Sequence, residues 1–135
     1  MKVPFAVLAD YASISIDGKL NAMGIFNIVF MASAPAVHPR MYIAWLFQHE
    51  EEDRGVSHHL EVTLRDPDGT VLFGVESDAQ IPDAIPLPLT TPHVVEITGT
   101  RFEQFGEYAF SIELDGEQVA NVPLRVAPLP TPQES

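Results

Sequence analysis

"HLEVTLRDPDGTVLFGVES", residues 59–77, decides the fold. Leu60, Val62 and Leu64 fall on one side of an extended chain, and Glu61, Thr63 and Arg65 on the other. That is the period-two pattern of a half-buried strand, because successive side chains of a strand point to opposite faces. Asp66-Pro67-Asp68-Gly69 then supplies turn chemistry: proline presets φ, the aspartates bond to nearby backbone, and glycine accepts positive φ. The chain returns through Val71, Phe73 and Val75.

The same grammar extends in both directions. Asp17-Gly18, inside "DYASISIDGKLNAMGIFNIVFMA" (10–32), sits among Ile14, Ile16 and Leu20 as a hairpin signal. "MYIAWLFQ" (41–48) follows Pro39, "HVVEITGTRF" (93–102) follows Pro92, and "EYAFSIELDGEQVANVPLRV" turns at Asp115-Gly116. No segment keeps apolar residues at helical spacing over the ~10 residues a helix needs. About eight short strands between turn signals predict an all-β, antiparallel, immunoglobulin-like β-sandwich. It is expected to occupy residues 1–127, with the proline-rich 128–135 as a flexible tail. "IPDAIPLPLTTP" (81–92) reads as an extended connection between sheets.

Composition narrows the function classes. A chain of 135 residues fits one domain with a real core. Its net charge of -12 repels phosphate backbones and anionic lipid, so neither nucleic acid nor a membrane is an expected partner. A basic protein or a cation suits that field. Cysteine is absent, which removes disulfides, thiolate metal sites and cysteine nucleophiles. The apolar run in "MKVPFAVLAD" is short and carries Pro4, so it reads as a first strand. No stretch reaches the ~18 apolar residues of a membrane helix, and a cytoplasmic protein is expected.

Two resemblances rest on quoted residues. In "FGEYAFSIELDG", Gly106 precedes Tyr108, which opens the alternation Tyr108, Phe110, Ile112, Leu114. This resembles the penultimate strand of immunoglobulin-like and fibronectin-like sandwiches, and implies a tyrosine bonded back to the preceding turn. At the other end, Phe5-Ala6, Leu8-Ala9-Asp10-Tyr11-Ala12, Gly18-Lys19-Leu20-Asn21 and Gly24-Ile25-Phe26 resemble the opening block of a family of small uncharacterised bacterial proteins. That resemblance implies a bacterial single-domain protein, a domain of unknown function with no activity to carry over.

The most chemical stretch is "HEEEDRGVSHH" (49–59). If 41–50 and 57–65 form a hairpin pairing Phe47 with Leu60 and Trp45 with Val62, His49 faces His58 across it. Opposed β-carbons lie ~5 Å apart, so two imidazoles can share a divalent metal such as zinc, with Glu51 or Asp53 adding an oxygen. His59 is expected to point outward beside Glu61. The stretch lacks the H-E-x-x-H spacing, and a charged loop is also what a solvated turn contains. The favoured reading is therefore a turn, with no cofactor. His38 and His93 read as loop-edge residues, and Asp66/Asp68 and Glu76/Asp78 as turn carboxylates. No nucleophile elbow, Walker loop or dinucleotide fingerprint appears, so an enzyme is not the expectation.

A quieter signal comes from strands that are apolar on both faces. Opposite Ile43, Trp45 and Phe47 stand Tyr42, Ala44 and Leu46. In "GIFNIVFM" only Asn27 interrupts the second face beside Phe26, Ile28 and Phe30. A sandwich strand normally alternates apolar and polar, so something must cover this surface. Ile85, Leu87 and Leu89 are one candidate cover. A second subunit or another protein is the other, with Tyr42, Leu46, Phe26 and Phe30 as the interface. The expected function is a non-enzymatic interaction or assembly module, possible as a homo-oligomer, with metal binding by His49, His58 and Glu51 as the alternative.

Overall fold

Alternation and turn chemistry translate into two packed sheets. In the computed structural model, residues 1–80, 86 and 89–130 are described. They form β1 (Lys2–Ile14), β2 (Leu20–Phe26), β3 (Ile28–Met31), β4 (Ala36–His49), a 3-10 turn (Glu51–Asp53), β5 (Ser57–Arg65), β6 (Val71–Gln80), β7 (Leu89–Phe102), β8 (Gly106–Leu114) and β9 (Glu117–Pro128). One sheet has the order β2-β1-β4-β7, the other β3-β9-β8-β5-β6. No described helix is long and apolar enough to cross a membrane. Ile85, Leu87 and the last five residues of the tail lie outside the described residues.

The core lies between the sheets. Leu8, Ile43, Trp45 and Phe47 come from the four-stranded sheet, and meet Leu60, Val62, Leu64, Phe110, Ile112 and Leu124 from the other. Tyr108 is buried beside Phe102, with ring centroids 4.9 Å apart, and its hydroxyl donates to the Gln104 carbonyl at 2.7 Å. The bond back to the preceding turn is thus present. Burial pushes the phenol's pKa up, which keeps it a donor.

Three expectations need correction. The 41–50 and 57–65 segments are not a hairpin: β4 pairs with β1 and β7, β5 with β6 and β8. Being apolar on both faces, β4 takes a central position with strands on each side. At its end, Glu50 N–H donates to Asp53 Oδ2 at 2.8 Å, within a capping box that turns the chain out of the sheet. "GIFNIVFM" is likewise not one strand. It divides at Asn27, whose carbonyl accepts the Arg125 N–H at 2.9 Å, so β2 and β3 serve different sheets and the strand count is nine. β3 then runs parallel to β9, with Ile28 opposite Arg125, so the sandwich is not wholly antiparallel.

Candidate functional site

Leaving the sheet after His49 brings His49, His58 and Asp53 to one end of the sandwich. His49, at the inward end of β4, is 3% exposed, and its Nε2 shares a 2.7 Å hydrogen bond with Thr91 Oγ1. Its Nδ1 is buried with no hydrogen-bond partner. Burial pushes the His49 pKa down, and the Met1 amino group and His58 add to this while Asp53 opposes it. His93 stacks on Trp45 with centroids 5.4 Å apart and planes 11° from parallel. Its pKa is also lowered, by burial first and by His49 second. His38 and His93 are strand residues of β4 and β7, not loop-edge ones.

His58 stands between two acids. Its Nδ1 lies 2.7 Å from Asp115 Oδ2, and its Nε2 lies 3.3 Å from Asp53 Oδ1 without the alignment of a hydrogen bond. Asp53 is nearly buried and also pairs with the Met1 amino group at 3.2 Å. Burial alone would raise the Asp53 pKa, but the Glu50 N–H, that amino group and His58 together hold it below the usual carboxylate value. Glu51 does not join them. It is solvent-exposed and binds Arg54 through both carboxylate oxygens, at 3.0 and 3.1 Å. The fold therefore brings His49, His58 and Asp53 to one end, across the sandwich rather than across a hairpin, and leaves Glu51 outside.

The outer face of the four-stranded sheet is a different environment. Phe5 pairs with Leu46 and Ala9 with Tyr42 on one side, while Ala9 pairs with Ile25 and Tyr11 with Met23 on the other. On this side Ala12, Tyr42 and Ala44 form a small apolar cluster, with Val7, Leu20, Ala22 and Val94 packed against it across β1, β2, β4 and β7. Tyr42 and Ala44 are buried in it, and Tyr11 packs edge-on against Tyr42 at 5.5 Å. Leu46 is half-buried. Yet Met23 is 66%, Ile25 58% and Tyr11 49% exposed. Phe26 and Phe30 are elsewhere: they line a shallow cleft with Asp10, Ile28 and His38, Phe26 packing on the core and Phe30 exposed on β3. Tyr42 and Leu46 thus share a surface, and Phe26 and Phe30 do not belong to it. Met23 and Ile25 do, and the Asp17-Gly18 hairpin with Ala9 opposite Ile25 is the signal that would have found them.

The five-stranded sheet turns a polar outer face to solvent. His59 points outward beside Glu61, as expected. Glu76 and Asp78 are not turn residues but lie inside β6, opposite Glu61 and His59 respectively. Asp66 behaves as read: its Oδ1 accepts the Asp68 and Thr70 N–H groups at 2.9 and 2.8 Å.

The family of unknown function DUF6941 has a model that matches residues 4–127, and the chain belongs to that family. No curated protein matches the chain.

Proposed function

We propose that this DUF6941 member is a non-enzymatic assembly module whose four-stranded sheet packs face to face on a second copy of itself. One observation carries the reading: Tyr42 and Ala44 are buried in an apolar cluster with Ala12, Val7, Leu20, Ala22 and Val94, while Tyr11, edge-on to Tyr42, and Met23 and Ile25 of the neighbouring strand stay exposed. Single exposed apolar side chains are ordinary, but contiguous ones on a rigid sheet mark contact surfaces.

Charge distribution favours a second copy as the occupant. The chain carries -12, which opposes self-association at long range. However, β2 has no charged residue, and Glu96, at the rim beside Tyr42, pairs with Arg40 at 3.2 Å. Much of the negative charge stands on the other sheet, ~10 Å further through the sandwich, a distance comparable to the Debye length of ~8 Å at physiological salt. Two neutral faces then meet with little repulsion. Each large apolar side chain fully covered contributes roughly 1.5–3 kcal/mol, and several must be covered together to offset the association cost of at least ~4 kcal/mol. A cytoplasmic setting belongs to the same reading.

Light scattering tests it. The wild type is expected at twice the chain mass, and Ile25→Glu and Leu46→Asp at the chain mass or, for Leu46→Asp, as insoluble protein. A wild type that stays monomeric at every concentration overturns the proposal.

A second reading has its own observation. His49 Nδ1 and His58 Nε2 are both buried without hydrogen-bond partners, at the end that also holds Asp53. A divalent cation taken up by His49 and His58 would use these nitrogens, and the side chains would have to draw together around it, because the ligand atoms of His49, His58 and Asp53 do not all lie within 4.8 Å of one another. It predicts that His58→Ala abolishes zinc-dependent stabilisation and Glu51→Ala does not.

A further inference from the structure

A sheet edge is a row of backbone donors and acceptors without partners, and natural sandwiches blunt it with short strands, kinks, proline or lysine. Among the described residues the two sheets end in β2, β7, β3 and β6. Three of these edges are blunted. β3 is four residues long, Gly24 interrupts the extended backbone of β2 at φ 70°, and β7 carries Pro92 and, at φ 65°, Gly99. β6 is not blunted. It has ten residues with no proline or lysine, and it pairs with β5 in unbroken register from Phe73–Leu64 to Gln80–Ser57. Its other side meets no strand among the described residues.

Glycine at position 74 adds to this. Its φ lies outside the left-handed region, and a Cβ there would stand 3.9 Å from Thr63 Cγ2, an ordinary contact. The chain's own packing therefore does not require glycine, although glycine weakens a strand interior. Close approach by a second backbone is one reason for such a glycine.

Alternation gives this edge two chemistries. On the outer face, Glu76 stands opposite Glu61, which stands opposite Glu113 of β8, and Asp78 lies one position further along. Glu76 and Asp78 are the charged residues of β6, and they share one imidazole, that of His59, at 3.8 and 3.5 Å. Phe73 and Val75 turn the other way, Phe73 packed on the core and Val75 38% exposed opposite Val62. Beside them a cleft of about 360 Å3 is lined from both edge strands, by Leu72 and Phe73 of β6 and by Ile97 and Thr100 of β7.

We propose that the free edge of β6 takes up an extended segment of a basic partner protein as an added strand, its residues alternating between Lys or Arg and apolar. In strand addition the backbone hydrogen bonds supply affinity, and the alternate side-chain positions supply specificity. A basic residue opposite Glu76 or Asp78 replaces like-charge opposition with an attractive cross-strand pair. The apolar residues between them face Val75 and the cleft. A second copy of this chain does not fit, because its β6 brings only acids to those positions. The net charge of -12 draws a basic segment at long range and repels a copy.

This edge is independent of the four-stranded assembly face. A capped peptide of alternating lysine and valine, about eight residues long to match Phe73–Gln80, tests it by calorimetric titration of the full-length protein. One peptide per chain is expected, with equal affinity for the wild type and for Ile25→Glu. Glu76→Gln combined with Asp78→Asn should weaken binding about tenfold, the loss of two cross-strand charge pairs. Of two versions methylated on alternate backbone nitrogens, the one that loses its β6-facing N–H groups should fail to bind. No binding of the unmodified peptide to the wild type overturns the proposal. Equal binding of a peptide with its lysines and valines in separate blocks also overturns it, since that reads charge without strand pairing. Self-association of Ile25→Glu that the peptide reverses would make a second copy the occupant of β6, and overturns it too.

Discussion

The two sheets share one core and differ in what they show to solvent. Across β2, β1 and β4 the outer register runs Met23–Tyr11 and Ile25–Ala9–Tyr42, apolar throughout. Across β6, β5 and β8 it runs Glu76–Glu61–Glu113, acidic throughout. Both are sheet faces with the same pleat, so backbone geometry is not the cause. Residue choice at the alternate positions is. A strand's inner face is dictated by burial, whereas its outer face is free to carry whatever it is used for.

The largest effect expected from this contrast is at Tyr42. It is on the outer face yet only 7% exposed, so Tyr42→Ala should cost about 3 kcal/mol, as deleting a buried aromatic does. Denaturant unfolding with an unchanged slope measures it. A cost below about 0.5 kcal/mol, the range of ordinary surface substitutions, would mean the layer is not a packed one.

Next is the pH response at the seam between the two sheets. His49 and His93 have pKa values below 6.5, chiefly through burial, so the unfolded chain binds protons more readily than the folded one. Their contribution is complete above the unfolded value of about 6.5 and is lost as pH falls through it. The lowered carboxylates Asp53 and Asp115 act only in more acid solution, below 3.8. Melting temperature should therefore fall from about pH 7.5 to about pH 5. The fall should be smaller in His93→Phe, and an identical fall there would remove His93 from the account.

A smaller effect, of opposite sign, belongs to the acidic face. Glu76→Gln should stabilise the chain by about 0.5 kcal/mol at low salt, the size of a cross-strand pair, and the gain should fade as salt screens the row. Met23→Glu should move stability least of all, within about 0.5 kcal/mol, because Met23 is exposed in the single chain. Its consequence is on assembly instead.

Most of this architecture was legible in residue alternation. Leu60, Val62 and Leu64 point inward as their spacing requires, and so do Ile43, Trp45 and Phe47. The Asp66–Gly69 and Asp115-Gly116 turns do what those residues favour. Pairing partners were not legible, because alternation says which face a residue takes and nothing about which strand lies beside it. Hence β4 and β5, adjacent in sequence and both facing the core, read as a hairpin although they face each other across the sandwich. The Asn27 crossing was hidden for a related reason. Phe26 faces inward from one sheet, and Val29 and Met31 from the other, so an apolar run continues through a change of sheet. The candidate sites inherit these limits. His49 and His58 come to the same end by a route the sequence did not suggest. Glu76 was hidden because the strand bounds of β6 run beyond the turn-like "ESD".

The reactivity of Met23 tests the central claim most directly. Met23 is the methionine on the proposed contact face, while Met31 and Met41 are buried in the core. Peroxide converts exposed methionine to its sulfoxide, so the rate at Met23, followed by mass spectrometry, reports whether a second copy covers it. Oxidation is expected to be slow in concentrated wild type, faster on dilution, and fast at all concentrations in Ile25→Glu. Oxidation of Met23 at one fast rate, whatever the concentration of the wild type, would contradict it.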